Sequence, residues 1–361
     1  MSTAERLLRD DLRGFAGYAS ARSLAAQGEV WLNANESARP SSEDPAGACR
    51  RYPEPQPFAL VARLATLYGV DTSQLMVGRG SDEIIDLLVR AFCPPGSGRI
   101  VIAPPVFGMY AVCARLHGAD VVEVPLRDSG ADFSVDLDAM AEAARATKAS
   151  LLFVCNPGNP TGESVEVEAI SASAARLAGR CLVVVDEAYG EFAEQDSAAS
   201  LITAHDNVVV LRTLSKAHAL AAARVGAVIA QPEVIDLLRR VQAPYPMPAP
   251  SVAIALRALR PEALCATRVR VREAREQRGI LAHALEALPG VRRVYASQGN
   301  YLLVRFEEAD AVLARLLDAG IVVRDMRAMR GLDDALRITV GTPAQNRLLL
   351  KALGKTAGGA Q

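Results

Sequence analysis

The sequence predicts an α/β protein in which a mostly parallel, seven-stranded sheet is followed by a smaller α+β unit. Short, nearly continuous apolar runs alternate with amphipathic helical stretches over residues 74–241. Strands that are apolar on both faces are typical of a parallel sheet covered by helices on its two sides. After about Pro250, longer helices separate isolated strands, which indicates a second unit of a different kind.

The predicted strands of the larger unit are the β-branched apolar runs bounded by turn-forming residues. They are Gln74–Val77, Arg99–Ala103, Asp120–Val124, Ser150–Cys155, Cys181–Asp186, Val208–Leu211 and Val225–Ala230. The predicted helices between them carry apolar residues at helical spacing. They are Ser81–Cys93, Phe107–His117, Val135–Ala146, Val165–Leu177 and Glu233–Val241.

The second unit begins with an Arg- and Ala-rich stretch that predicts one long helix over Ser251–Leu288. Strands and helices then follow at Val291–Tyr295, Tyr301–Phe306, Ala309–Ala319, Ile321–Arg324, Ala335–Val340 and from Pro343, before a polar tail near Lys355–Gln361. We expect a large domain over residues 45–265, and a small domain formed by residues 266–361 together with the N-terminal segment, residues 1–44.

The composition limits the possible functions. The 361 residues carry a net charge of −1, so no overall field favours nucleic acid or an anionic membrane. The six cysteines show no C-x-x-C spacing and histidine is scarce, which predicts a cytoplasmic protein with reduced thiols and no metal site. Lysine-dependent chemistry has four candidates, namely Lys148, Lys216, Lys351 and Lys355.

Polar turns follow four of the predicted strands. They are Gly78–Glu83, which opens a helix, Asn156–Gly162, Asp186–Tyr189 and Thr213–Lys216. Ligands of open parallel sheets bind at the carboxyl ends of the strands. We therefore expect these four turns to meet at one edge of the sheet.

The polar groups of these turns suit pyridoxal phosphate, which needs an amine for its aldehyde, a carboxylate for its ring nitrogen and donors for its phosphate. Lys216 can supply the amine and Asp186 the carboxylate. Ser81 and the backbone N–H groups of Asp82 and Glu83 lie at a helix start, where anions bind. A hydroxyl and a guanidinium for the phosphate are available from Ser215 and Arg224.

Seven segments resemble the histidinol-phosphate aminotransferases, which are fold type I pyridoxal-phosphate enzymes, and they occur in that family's order over nearly the whole chain. The segments are Trp31–Glu36, Arg51–Pro53, Gly80–Glu83, Asn159–Gly162, Asp186–Tyr189, Ser215–Gly226 and Leu336–Gly341. The resemblance implies transamination of histidinol phosphate with 2-oxoglutarate, which yields imidazole acetol phosphate and glutamate in histidine biosynthesis.

The resemblance also implies how the cofactor is held. Lys216 would form the Schiff base and move the substrate proton, and Asp186 would pair with the pyridinium. Tyr189 and Asn159 would hydrogen-bond the phenolic oxygen of the ring. Phe107 occupies the position of an aromatic ring that stacks on the cofactor, where many relatives have tyrosine.

The same family pattern implies that Ser215, Arg224 and the turn Ser81–Glu83 hold the cofactor phosphate. Tyr52 resembles a tyrosine that reaches this phosphate from the partner subunit, which would require a homodimer. For the substrate, Arg337 resembles the arginine that binds α-carboxylates, and Arg324 an additional cation. Tyr18 and Asn33 are further residues that we expect at the substrate.

Other interpretations remain open at this stage. An aromatic amino acid aminotransferase or a threonine-phosphate decarboxylase would share the cofactor residues, whereas a non-catalytic ligand sensor would not need Lys216. The turn Gly78–Gly80 lacks the third glycine of a dinucleotide loop. His218 suggests a general base, but a spacer role is the simpler interpretation because the lysine can transfer the proton itself.

Overall fold

The structure is a computed structural model that describes residues 1–22 and 30–354. Lys355 and the polar tail expected at Lys355–Gln361 lie outside the described residues. Within the described part of the chain, no helix is both long and apolar enough to cross a membrane.

The secondary structure alternates between strands and helices over most of the chain. The strands are β1 (Leu75–Gly78), β2 (Arg99–Ile102), β3 (Asp120–Glu123), β4 (Arg127–Asp128), β5 (Phe133–Ser134), β6 (Leu151–Cys155), β7 (Leu182–Asp186), β8 (Val208–Thr213), β9 (Gly226–Ile229), β10 (Val291–Val294), β11 (Tyr301–Phe306), β12 (Arg324–Asp325) and β13 (Ala335–Thr339). The helices are α1 (Thr3–Leu7), α2 (Phe58–Tyr68), α3 (Gly80–Phe92), α4 (Met109–His117), α5 (Leu137–Thr147), α6 (Val167–Leu177), α7 (Pro232–Val241), α8 (Ala249–Ala258), α9 (Pro261–Glu286), α10 (Ala309–Asp318) and α11 (Pro343–Leu353).

The larger unit is built on a seven-stranded sheet of order β1-β9-β8-β7-β6-β2-β3. Neighbours from β8 through β7, β6 and β2 to β3 pair in parallel. The exception is β9, which runs antiparallel to both β1 and β8. The prediction of a mostly parallel sheet with seven strands is therefore confirmed.

Both faces of this sheet are buried, which explains the continuous apolar runs. Within β7, Val183 and Val185 face a core that includes residues of α2, α5, α6 and α8. Leu182 and Val184 point to the opposite side, into a core with α3, α4 and α7. The two-residue period of a strand thus supplies apolar side chains to two helical layers.

The smaller unit contains a four-stranded antiparallel sheet of order β10-β11-β13-β12. The predicted strand at Ile321–Arg324 is wrong in extent, because only Arg324 and Asp325 pair with β13. The single long helix predicted over Ser251–Leu288 is also wrong. Arg260 is extended and Pro261 starts a new helix, since proline cannot donate the N–H that a continuous helix would need.

The N-terminal residues pack on the larger unit, not on the smaller one as the sequence led us to expect. Ala4 and Leu8 enter the core that α3 and α7 share. The backbone N–H and the hydroxyl of Thr3 both donate to the carboxylate of Asp206, each at 2.8 Å. The predicted grouping of residues 1–44 with the small domain is therefore wrong for this first stretch.

Helix α9 connects the two units. Val271, in its first half, packs with Tyr189 and Tyr301, whereas Leu281 and Leu285 lie in the core of the smaller unit. The predicted domain limit at residues 265 and 266 falls inside this continuous helix of 26 residues.

Candidate active site

A cavity of about 660 Å³ lies at the carboxyl ends of the parallel strands, where the smaller unit meets the sheet. Eleven of the residues predicted for the site line it. They are Ser81, Asp82, Phe107, Asn159, Asp186, Tyr189, Ser215, Lys216, Arg224, Arg324 and Arg337. The parallel topology explains this convergence, since β6, β7 and β8 all end at the same edge.

Asp186 ends β7 and is buried, with 2% of its surface exposed. Its Oδ2 accepts a hydrogen bond from the Tyr110 hydroxyl at 2.8 Å, and its Oδ1 accepts one from the Ala188 N–H at 3.1 Å. Burial raises the pKa of Asp186 to about 6 despite these donors. A cation beside this carboxylate would be strongly favoured, because solvent screens it little.

Lys216 follows β8 and extends its amine into the cavity, 5.3 Å from the centre of the Tyr189 ring. Partial burial, and then the positive charge of Arg337, lower the pKa of Lys216. A larger fraction of this amine is therefore neutral at a given pH than for a lysine in water, as a nucleophilic amine requires. Burial also raises the pKa of Tyr189 to about 12, so its hydroxyl stays protonated and can donate.

The loop that carries Tyr189 is held in place by a buried ion pair. The Arg212 guanidinium donates to the Glu187 carboxylate at 2.6 Å and to the Glu191 carboxylate at 2.8 Å. Arg212 passes so close to Gly190 that a Cβ at this glycine would lie 2.5 Å from its Nη1. Only glycine therefore fits over the ion pair without moving it.

The other end of the cavity has the donors that an anion needs. Helix α3 starts there with the unpaired N–H groups of a helix N-terminus, and the Arg224 guanidinium lies against Gly80. Arg224 donates to the Asp82 carboxylate at 3.1 Å and to the Ser215 hydroxyl at 3.5 Å. A phosphate can replace the Asp82 carboxylate as the partner of this guanidinium, since both are bidentate acceptors.

Two arginines of the smaller unit face the cavity from adjacent strands. Arg324 of β12 and Arg337 of β13 are direct partners in the antiparallel register, so their side chains lie on the same face of the sheet. Like charges opposite each other are unfavourable unless an anion lies between them. Arg337 also donates to Oδ1 of Asn159, which leaves the Asn159 amide N–H₂ free to donate to another ligand.

Four predicted residues do not line this cavity. The Glu83 carboxylate accepts from the Arg79 N–H at 2.7 Å, so only its backbone N–H is available to a ligand. Tyr52 stacks on Tyr245, with ring centres 4.4 Å apart. Tyr18 and Asn33 are exposed on the surface of their own chain.

Sequence reasoning missed the most direct partner of Asp186. Tyr110, in the first turn of α4, lies three residues after Phe107 and contacts it edge-on, with ring centres 5.6 Å apart. The spacing of Tyr110 from Phe107 could have predicted this role. In the predicted helix Phe107–His117, residues three positions apart lie on the same face. Tyr301 was also missed; it packs edge-on against Tyr189 at 4.9 Å and donates to the Gly158 carbonyl.

The donor set fits pyridoxal phosphate. The buried carboxylate of Asp186 and the amine of Lys216 line the same cavity, and a helix start with Arg224 can bind the phosphate. Glycine is required at position 226, beside the start of α3, since a Cβ there would lie 2.6 Å from the backbone nitrogen of Ser81.

The fold and the site are those of a pyridoxal-phosphate-dependent aminotransferase, and the model of the family "Aminotransferase class I and II" matches residues 24–353. The chain is 58% identical to the histidinol-phosphate aminotransferase of Stenotrophomonas maltophilia, over 96% of this chain and 95% of that protein. It is 57% identical to that of Xanthomonas campestris, over 98% of both chains. At this level of identity the chain belongs to the histidinol-phosphate aminotransferase family.

Solved structures of different activities share this fold. The histidinol-phosphate aminotransferase of Sinorhizobium meliloti, solved in complex with pyridoxal-5'-phosphate, superposes with a TM-score of 0.76 at 27% identity and covers 89% of this chain and 88% of that one. The L-threonine-O-3-phosphate decarboxylase of Porphyromonas gingivalis gives a TM-score of 0.73 at 25% identity and covers 86% of this chain and 92% of that one.

Proposed function

We propose that this enzyme transfers the amino group of L-histidinol phosphate to 2-oxoglutarate and so acts in histidine biosynthesis, in the cytoplasm. One observation carries the proposal: Lys216 and Asp186 line the same cavity as the opposed pair Arg324 and Arg337. The relatives at 57–58% identity have the name of this activity, which supports the same substrate here.

The arginine pair suits both half-reactions. Histidinol phosphate presents a phosphate and no carboxylate, whereas 2-oxoglutarate presents two carboxylates. Arg324 and Arg337 can each form paired hydrogen bonds with either anion. A substrate anion between them would also relieve the repulsion of two like charges that face each other in the sheet.

When bound, the cofactor supplies an electron sink that stabilises negative charge at the substrate Cα. Asp186 keeps the ring nitrogen protonated, because a carboxylate in this buried position stabilises a cation. Lys216 would hold the cofactor aldehyde, and its amine is the group in the cavity that can take the Cα proton of the substrate. Its lowered pKa suits it to act as a base. Tyr189 and the amide N–H₂ of Asn159 would donate to the phenolic oxygen of the ring.

The cofactor phosphate would be held by Ser81, Ser215, Arg224 and the first N–H groups of α3. Phe107 would cover one face of the ring. Phenylalanine keeps the stacking surface but has no hydroxyl, so this chain makes no hydrogen bond from that position.

We also propose a homodimer in which Tyr52 completes the phosphate site of the partner subunit. Large apolar side chains between residues 15 and 58 are exposed in the single chain, which supports an interface there. They are Phe15, Tyr18, Val30, Leu32, Tyr52 and Phe58. Tyr18 and Asn33 lie in the same part of the chain, so their expected contact with substrate would also be made across the interface.

A substrate panel tests the reaction. Histidinol phosphate, phenylalanine and threonine phosphate are each offered as amino donor with 2-oxoglutarate as acceptor, and carbon dioxide release is measured for threonine phosphate. We expect kcat/KM for histidinol phosphate to exceed the others by at least about a hundredfold. Preferential carbon dioxide release, or a preference for phenylalanine, would overturn the proposed substrate.

Mixed dimers test the shared site. A Lys216→Ala subunit and a Tyr52→Ala subunit each lack one residue, but a dimer of the two contains one complete site. After unfolding and refolding together, about a quarter of the sites should be complete. Activity that does not rise above the sum of the separate variants would contradict the sharing of Tyr52.

A further inference from the structure

A second cavity, of about 520 Å³, lies behind the segment that carries Lys216. It is bounded by the end of α2, the loop after β7, strand β8 and the first half of α9, and no residue lines both cavities. Along the chain, Arg212 precedes Lys216 and His218 follows it. Arg212 and His218 line the second cavity, whereas Lys216 lines the first. Its volume lies within the range of small-molecule sites.

Buried polar atoms of this cavity lack partners. Both ring nitrogens of His218, the Tyr68 hydroxyl, Oε2 of Glu191 and Nε of Arg212 have no hydrogen-bond partner among residues 1–22 and 30–354. His218 is 5% exposed, and its Nε2 lies 3.8 Å from Glu191, too far for a hydrogen bond. Such groups cost stability unless they are satisfied, so a ligand that pairs with them gains affinity.

The charge of the cavity favours an anion. Four arginines and one glutamate line it. Three of the arginines, Arg268, Arg272 and Arg275, come from one face of α9, at a spacing of four and three residues. Arg275 is engaged with the backbone carbonyls of the loop after β7. Arg268 and Arg272 are exposed at the rim, and Arg272 also lies 4.0 Å from the Glu276 carboxylate. Solvent screens such an exposed pair strongly, so both guanidinium groups can still turn to a ligand.

The remaining surface selects the kind of anion. Leu67, Leu264 and Val271 provide an apolar wall. Burial lowers the pKa of His218, which favours the neutral ring, with one nitrogen that donates and one that accepts. The accepting nitrogen and Oε2 of Glu191 both need a donor from the ligand, whereas the Tyr68 hydroxyl and Nε of Arg212 need an acceptor.

We infer that this cavity is a second binding site, distinct from the cofactor site, for a small organic carboxylate that has an apolar ring and a hydroxyl or amino group. The carboxylate lies toward Arg268 and Arg272, the ring packs on the leucines, and the donor group reaches His218 and Glu191. Inorganic phosphate satisfies the cations but not the apolar wall, so it binds more weakly.

The experiment uses 4-hydroxybenzoate as the probe and the cofactor-loaded enzyme. The chain has four histidines, so selectively labelled histidine gives few ring resonances in NMR, and His218→Phe assigns the relevant one. We expect a saturable shift of the His218 resonance with 4-hydroxybenzoate. The neutral analogue 4-hydroxybenzamide, which has the same shape, should produce no such shift.

Two matched variants separate this site from the first cavity. Arg268→Ala combined with Arg272→Ala removes exposed rim cations and should weaken probe binding about tenfold. Arg337→Ala removes a cation of the first cavity and should leave the His218 shift unchanged. Absence of a saturable shift, its persistence at full affinity in the double variant, or its loss in Arg337→Ala would each overturn the inference.

Discussion

The buried carboxyl of Asp186 gives the cofactor-free protein a pH dependence that one substitution should remove. Burial raises its pKa from 3.8 to about 6 in the folded protein. Between these values the folded protein holds a proton that the unfolded chain has lost. The stability from this proton is complete below about pH 4 and is lost as the pH rises through about 6.

The magnitude follows from the two pKa values. The whole difference corresponds to about 3 kcal/mol, and roughly half of it is lost between about pH 5 and about pH 8. Asp186→Asn keeps the size of the side chain and cannot titrate. The free energy of unfolding of the wild type should therefore fall by about 1 kcal/mol relative to the variant over this interval.

Urea unfolding of both proteins without cofactor, at the two pH values, measures this difference. The account of Asp186 would be refuted if the free energy of unfolding changed equally in the two proteins, or if that of the wild type rose toward higher pH relative to the variant. Added pyridoxal phosphate places a cation beside the carboxylate and lowers its pKa. The difference between wild type and variant should then lose its pH dependence, which is a separate check on the pairing.

Three further substitutions test other parts of the site. Tyr110→Phe removes a hydrogen bond to the Asp186 carboxylate worth about 1.5–3 kcal/mol, so the pKa of Asp186 in the cofactor-free protein should rise; an unchanged pH dependence of unfolding would contradict this. Lys216→Ala should abolish the visible absorbance band of the bound cofactor together with turnover, and normal turnover would refute the assigned role. Gly190→Ala forces Arg212 away from its partners and should lower the free energy of unfolding by about 1–3 kcal/mol, as overpacking does; urea unfolding measures it, and a neutral result would show that the loop adapts.

Gly279→Ala is the matched control for the last variant. Gly279 lies within α9, and a Cβ there would have no neighbour within 4 Å. The same addition of a methyl group should raise the free energy of unfolding by about 1 kcal/mol, because alanine favours the helix. Opposite effects of the two substitutions would separate the ion pair from a general effect of glycine replacement.

The sheet and the composition of the cavity could be predicted because they follow local rules. The apolar runs predicted the strands, and the polar turns that follow them placed Lys216 and Asp186 at one edge of the sheet. The division between α8 and α9 was missed although Pro261 marks it, since arginine and alanine continue the helical pattern on both sides. The packing of Ala4 and Leu8 was also missed, because a helix of five residues has too little pattern to show which core it joins.

Side-chain partners were harder to predict than positions. The hydrogen bond between Tyr110 and Asp186 joins residues that are 76 positions apart, and it depends on how α4 lies against β7. The pairing of Arg337 with Asn159 depends on how the smaller unit meets the sheet. Neither contact has a pattern within a single segment of the chain.

The continuity of α9 has a mechanical consequence. Arg275 ties one half of the helix to the backbone carbonyls of the loop that contains Tyr189, while Leu281 and Leu285 anchor the other half in the smaller unit. No break in the helix separates these two groups of contacts. Any tilt of the smaller unit around a substrate anion would therefore reach the Tyr189 loop directly, with no flexible joint to absorb the motion.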